Sequence, residues 1–280
     1  MPAEGPAIDP SGESAAEALA RLYDLDLAED PGDVELYLAL AARSGDPVVE
    51  LAVGSGRLAV PLTLAGHQVV GLDNDPAMLE RARRRAVEAG VSMVDFSKPD
   101  VPVGGALELA LHDVVVPRPG DHGRYALVVL GLNSLLLFPD RGAQARIVAT
   151  MTELARPGGL VVVDAWQPQP DDLVRMDGRL SLEWLREDPG TGRPVAKLTS
   201  AWYDPATRVA AVTSLFDEGG RGEPVVRWTR TDRMRFASGE ELVAWAESAG
   251  LEVERLAGDV DLAPYGGASE RAVLVARRPG

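Results

Sequence analysis

The chain has 280 residues, a net charge of −15 and no cysteine. That charge argues against a nucleic-acid partner, whose phosphates demand basic surface; the missing thiols exclude disulfides, thiolate metal sites and a cysteine nucleophile. No apolar run reaches the roughly 20 residues that a membrane span needs, and the start Met1-Pro2-Ala3-Glu4 carries no basic or apolar signal region, so a cytoplasmic setting is expected.

Residues 1–13, rich in Pro, Gly, Ser and Glu, predict a mobile segment. Ala15, Ala18, Leu19 and Leu22 recur at helical spacing and predict an amphipathic helix from Ser14 to Leu27, followed by a second from Asp33 through Ala42. An apolar strand over 47–53 then leads through a glycine turn into a helix over 56–65, which Pro61 interrupts in its second turn. Val69 to Asp73 reads as the second strand. Asp75 caps the next helix with Pro76 at its first position, and that helix runs to Gly90. Residues 91–105 have no period and predict a loop. Strands follow at 107–112 and 126–131, then a helix over 141–155, the turn Pro157-Gly158-Gly159, and a strand at 160–165. This alternation predicts an α/β fold, a mostly parallel sheet with helices on both faces.

Between 179 and 236 the pattern changes. Four strand-like segments, 179–186, 195–203, 208–216 and 225–236, are joined by short turn sequences and predict an antiparallel β-meander. The α/β pattern resumes at the capping box Ser238-Gly239-Glu240-Glu241, with a helix to Gly250 and strands at 251–257 and 270–277. The expected organisation is a core of 14–166 and 237–280, interrupted by an insertion over 167–236.

Chemistry concentrates in Val48-Val49-Glu50-Leu51-Ala52-Val53-Gly54-Ser55-Gly56-Arg57, with Asp73 at the tip of the next strand. Glycines let backbone pass close to a ligand, and an acid in the place of Asp73 suits the hydroxyls of a ribose. An adenosine-containing cofactor fits this arrangement. Gly54 to Ala59 also satisfies the dinucleotide pattern G-x-G-x-x-A, which leaves a nicotinamide enzyme as a rival. Three features separate the two readings: Glu50 inside the strand, the Pro157-Gly158-Gly159 turn, and a helix-strand-strand ending that places a reversed strand beside the sheet. Neither lysine, Lys98 or Lys197, has a tyrosine four residues before it, as a Tyr-x-x-x-Lys hydride-transfer site requires.

Glu50 to Arg57, Val70-Gly71-Leu72-Asp73, His112-Asp113, Leu130-Gly131-Leu132-Asn133-Ser134 and Pro157-Gly158-Gly159 occur in that order. In this the chain resembles the class I S-adenosylmethionine-dependent methyltransferases, from about residue 33 onward. The resemblance implies a Rossmann-like fold with a reversed last strand and S-adenosyl-L-methionine as cofactor. It implies that Gly54 and Gly56 approach the methionine part of the cofactor, with Ala52 standing where many members carry glycine. It further implies that Glu50 acts on the amino group or indirectly, that Arg57 pairs with the carboxylate, and that Asp73, beside Asn74, holds the ribose. Asp113 would accept from the adenine amine, with Val114 beside the ring and Leu132 at the end of strand four. Tyr23 and Tyr37 lie in the N-terminal segment that folds over the cofactor as a lid in similar enzymes. The meander is similar to insertions in amino-sugar N,N-dimethyltransferases and related small-molecule enzymes, where it covers a pocket or forms a homodimer surface.

Ligands in open α/β sheets bind at the carboxyl ends of the strands. That nominates Asn133, Ser134, Asp164 and Trp166 for a small-molecule acceptor, with Trp202 and Tyr265 as further pocket walls and Asn133 and Asp164 as catalytic candidates. None of the three histidines, His67, His112 and His122, stands out as a base. This favours a nitrogen acceptor over oxygen, since a hydroxyl needs a base. A chain that binds the cofactor without transferring methyl is the remaining alternative.

Overall fold

The computed structural model of the chain describes residues 12–29, 31–98, 104–220, 222 and 224–280. Most of the expected mobile start (1–11) and the middle of the expected loop (99–103) lie outside the described residues.

In chain order the elements are α1 (Ala15–Asp26), α2 (Val34–Ser44), β1 (Val48–Leu51), α3 (Ala59–Leu64), β2 (Gln68–Asp73), α4 (Pro76–Glu88), β3 (Ala106–Leu111) and β4 (Tyr125–Leu130). A short 3-10 helix, Ser134–Leu137, precedes α5 (Arg141–Leu154), β5 (Ala155–Trp166) and α6 (Pro170–Arg175). Then come β6 (Asp177–Glu187), β7 (Pro194–Asp204), β8 (Val209–Glu218), β9 (Val226–Arg235), α7 (Gly239–Ser248), β10 (Glu252–Ala257) and β11 (Arg271–Arg277). Among the described residues no helix is long and apolar enough to cross a membrane.

The chain divides into two compact units. The larger, residues 31–169 and 235–280, is built on a seven-stranded sheet in the order β10-β11-β5-β4-β1-β2-β3. Strands β1 to β5 pair in parallel, and β11 runs antiparallel to both β5 and β10, so the reversed strand expected from the sequence is present. Side chains alternate between the two faces. Val49, Leu51, Val128, Leu130, Val161 and Val163 pack with α5 and α7. Val48, Leu127, Val129, Leu160 and Val162 pack with α2, α3 and α4. By the same alternation Glu50 on β1 and Asp164 on β5 point to the second face, into apolar surroundings.

Two local readings change. The helix expected over 56–65 is only Ala59–Leu64: Gly56 sits at φ 78°, outside helical backbone, while Pro61 falls in the first turn, where its missing N–H costs no helical bond. Pro157-Gly158-Gly159, expected to separate helix from strand, is drawn into β5: Gly158 N–H donates to Arg278 O and Arg278 N–H to Gly159 O, at 2.8 and 2.9 Å.

The smaller unit joins the described residues of 1–30 to 170–234. Its sheet is an antiparallel meander in the order β6-β7-β8-β9. Helix α1 lays Ala18, Leu22 and Leu25 against Val195, Phe216 and Trp228. Arg21 reaches from the same helix to Asp188 and Glu218, Lys197 binds Asp26 at 2.6 Å, and Arg186 donates to the Leu25 and Asp26 carbonyls at the helix end. The sequence reading grouped α1 with the α/β core; its apolar face and its ion pairs are taken up by the meander. Periodicity marks a face for burial without saying which surface will cover it.

Candidate functional site

The chain leaves β1 through a turn that its own residues dictate. Ala52 has φ 53°, Gly54 φ 55° and Gly56 φ 78°, all left-handed. Space is tight at Gly56 as well, since an added Cβ would lie 3.2 Å from Ala82 Cβ on α4. Ala52 adopts a left-handed conformation that disfavours any residue with a Cβ. This is the physical meaning of its departure from the expected glycine.

Asp73 ends β2 next to this turn. Its carboxylate accepts the Gly54 N–H at 2.8 Å and the Asp75 N–H at 2.9 Å, so it holds the glycine loop to the start of α4. Burial pushes the carboxyl above its ordinary value, while these hydrogen bonds oppose the shift. Asn74 follows it, exposed.

Glu50 lies beneath the loop, 5% exposed. One carboxylate oxygen takes the Ala59 N–H from the start of α3, and Oε2 has no partner. Burial, reinforced by Asp33 and Asp73 and opposed by Arg57, pushes its pKa up to about 8. Tyr37 on α2 is fully buried, and its hydroxyl is likewise without a partner. A Cβ added at Gly131, the residue after β4, would lie 3.2 Å from that hydroxyl, so glycine there makes room for it. Burial and the Asp164 charge push the Tyr37 phenol well above its ordinary value.

Two ion pairs close the cluster. Arg57 donates to both oxygens of Asp33, at 2.5 and 2.8 Å. Arg271, at the start of β11, donates to both oxygens of fully buried Asp164, at 2.7 and 2.6 Å. Four carboxyl groups (Asp33, Glu50, Asp73, Asp164) thus face two guanidinium groups at the carboxyl edge of the sheet. An excess of buried acid favours a cationic ligand.

Several residues given roles from the sequence also bond within the fold. Arg57, expected to meet the cofactor carboxylate, is bidentate on Asp33. Asp164, nominated as a catalytic candidate, is engaged by Arg271. Asn133, at φ 67°, accepts the Trp166 N–H at 2.7 Å and an Arg271 N–H at 3.4 Å, while its own N–H donates to the Asp164 carbonyl. It ties the end of β4 to the end of β5. Leu132 beside it is left-handed at φ 42°, and Ser134 opens the 3-10 helix. Trp166 packs edge-on against Phe236 with ring centroids 5.5 Å apart. Tyr265 takes the Gly239 N–H on its hydroxyl at 3.2 Å and so pins the start of α7. Asp113 is exposed just beyond β3 and accepts the Val115 N–H at 3.2 Å, whereas Val114 is buried in the α5-side cluster. Tyr23 and Trp202 belong to the meander unit, Trp202 being exposed on β7. Asp33 and Arg271 were not singled out from sequence. For Arg271 the available signal was a charge at the head of the apolar run Ala272 to Ala276, facing a strand that carries Asp164.

A family model described as "Methyltransferase domain" matches residues 48–159. That match contains the glycine loop and β1 to β4, and the strand order 3-2-1-4-5 followed by a reversed strand is the one expected of the class I fold. Over residues 48–159 the chain is similar to this methyltransferase domain. Three solved structures share the fold. The CcbJ methyltransferase from Streptomyces caelestis superposes with a TM-score of 0.70 at 23% identity, covering 90% of this chain and 98% of that one. The sugar N-methyltransferase KedS8 from Streptoalloteichus gives 0.69 at 19%, covering 100% and 99%. An S-adenosylmethionine-dependent methyltransferase from Clostridium acetobutylicum gives 0.72 at 14%, covering 94% and 98%. In sequence, an uncharacterised protein of Mycobacterium tuberculosis is 41% identical over 51 residues, 18% of this chain and 19% of that one. The ubiquinone biosynthesis O-methyltransferase of Bordetella pertussis is 31% identical over 131 residues, 47% of each. The chain therefore spans less than half the length of these sequence relatives.

S-adenosylmethionine, named for two of the solved structures of this fold, fits the residues present. The left-handed loop offers close backbone approach, the Asp73 carboxylate stands at the tip of β2, and two buried polar atoms without partners, Glu50 Oε2 and the Tyr37 hydroxyl, match an ammonium and a carboxylate.

Proposed function

We propose that this protein is a cytosolic enzyme that transfers a methyl group from S-adenosylmethionine to nitrogen on a small molecule. The observation that carries the reading is the buried acidic cluster at the carboxyl edge of the sheet, with Glu50 Oε2 and the Tyr37 hydroxyl unpartnered beside the glycine loop. When bound, the cofactor supplies a methyl group on a positively charged sulfur. Glu50 receives the ammonium of its amino-acid end, Tyr37 donates to the carboxylate, and Asp73 holds the loop and takes the ribose. Asp113 and Val114, beyond β3, receive the adenine. Asn133 and the Asp164–Arg271 pair fix the ends of β4 and β5, where the acceptor lies.

Nitrogen is favoured because the polar side chains at this edge are already engaged. Asp164 is held by Arg271, Asn133 accepts from Trp166 and Arg271, and His112 contacts the Val116 carbonyl at 2.7 Å. An unprotonated amine needs alignment and exclusion of water, whereas a hydroxyl needs its proton removed. Amino sugars are the acceptor class suggested by the sugar N-methyltransferase KedS8 and the amino pentose methyltransferase CalS10 among the structures of this fold. The net charge of −15 speaks for a small acceptor over nucleic acid. Exposed Leu180, Leu182, Leu185 and Trp202 on β6 and β7 suit burial against a second copy of the chain, which sedimentation analysis would reveal as a dimer.

The test is mass spectrometry of parallel amine and alcohol panels, amino sugars included, incubated with S-adenosylmethionine and the protein. Gain of one methyl by amines supports the reading. Gain only by alcohols overturns the choice of nitrogen. Cofactor binding with no transfer in either panel would replace the reading with binding alone.

A further inference from the structure

We infer that the free protein holds Glu50 protonated and that arrival of the cationic amino-acid end of the cofactor drives this proton into solution, so that binding is coupled to proton release. The inference rests on the cofactor reading above and adds a thermodynamic property of the site to it.

The geometry leaves the Glu50 carboxyl little choice. It sits on β1 among Val48, Leu127 and Val129 on the α2–α4 side of the sheet, with one oxygen on the Ala59 N–H and the other without a partner. The groups facing it are Arg57 and Asp33 from the segments before α3 and α2, Tyr37 from α2, and Asp73 from β2. Behind Tyr37 and Asp33 stand Asp164 on β5 and Arg271 on β11. Each guanidinium is bidentate on another carboxylate, Arg57 on Asp33 and Arg271 on Asp164. A buried carboxylate left with a bare oxygen and acidic neighbours takes up a proton instead of bearing charge. Burial and the charges of Asp33 and Asp73 outweigh Arg57 in this balance. An ammonium brought against Oε2 reverses it, since an opposite charge at contact stabilises the ionised form. The proton passes to buffer.

The coupling has a defined pH signature. Below the value at which Glu50 titrates in the free protein, Kd for the cofactor falls about tenfold for each unit of rising pH, and above it Kd levels off. A site whose acid was already ionised would show no such slope.

The experiment is isothermal titration of the full chain with S-adenosylhomocysteine, at about pH 5.5 to 6.5, where the ligand's own α-ammonium stays charged. Each titration is run in two buffers of different ionisation enthalpy, which counts the protons released. Infrared difference spectra are recorded alongside. The expected result is release of close to one proton per ligand, with loss of a protonated-carboxyl C=O band that is absent from Glu50→Gln. Tight binding with no proton release and no loss of that band overturns this inference while leaving the proposed function standing. No binding of the ligand at all overturns the proposed function itself.

Discussion

Asp73 accepts the Gly54 N–H at 2.8 Å, and through this bond the end of β2 sets the path of the loop that follows β1. The same carboxylate takes the Asp75 N–H at 2.9 Å, so one side chain fixes two backbone segments. Replacing Asp73 by Ala leaves both donors short of an acceptor and is expected to cost about 1–3 kcal/mol of stability, with loss of cofactor binding. Asp73→Asn keeps one acceptor oxygen and should be milder in stability, yet still weak in binding. Denaturation midpoints and nucleotide titrations of the two variants check both statements.

Ala52 stands at φ 53° without the freedom of glycine. Left-handed backbone costs a residue with a Cβ about 1–2 kcal/mol, partly offset by the greater flexibility of glycine in the unfolded chain. Ala52→Gly is therefore expected to be neutral or stabilising by up to about 1 kcal/mol. Cofactor affinity should be retained. A clear loss of stability would mean that the methyl group fills space the fold requires.

Glu50 also sets a pH dependence for stability. Its pKa rises from 4.5 to about 8 in the folded chain, because burial disfavours the charged form. The folded state therefore holds the proton more tightly than the unfolded state. This contribution to stability is fully present below 4.5, declines as pH rises, and is lost once pH passes about 8. Glu50→Gln removes the titration. Thermal melts of the free proteins between about pH 5 and about pH 9 should show the parent losing more melting temperature than the variant.

The Asp164–Arg271 pair distinguishes a structural from a catalytic carboxylate. Asp164 is fully buried and both of its oxygens are held by Arg271. Asp164→Ala leaves the half-buried Arg271 guanidinium without its partner and is expected to cost about 1–3 kcal/mol. The double variant Asp164→Leu, Arg271→Met should recover much of that loss, because an apolar pair needs no charge partner. If Asp164 acted as a free base, the single variant would lower kcat and leave the unfolding free energy unchanged.

The chemistry of this chain is written most legibly where backbone demands a residue type. Gly54 and Gly56 announce their turn because left-handed conformations select glycine, and Asp73 is found because a carboxylate at a strand tip breaks the apolar pattern. Alternation along β1, β4 and β5 announces the parallel sheet, and Ser238 with Glu241 marks the start of α7. What stayed hidden depends on tertiary partners. Asp33 reads as an ordinary cap before α2 until Arg57 closes on it. Arg271 reads as a strand end until β11 inserts antiparallel beside β5. Helix α1 shows its apolar stripe plainly, but the stripe says nothing of the meander that buries it. Asn133 draws notice because it follows a strand, while its bonds to Trp166 and Arg271 depend on partners far away in sequence.

Calorimetric titration with S-adenosylmethionine, S-adenosylhomocysteine and NADH, on the parent chain and on Asp73→Ala, tests the central claim most directly. Saturable binding of both sulfur nucleotides, loss of both in the variant, and no heat from NADH are expected. Binding of NADH with silence from the sulfur nucleotides would contradict that claim and return the glycine loop to a dinucleotide.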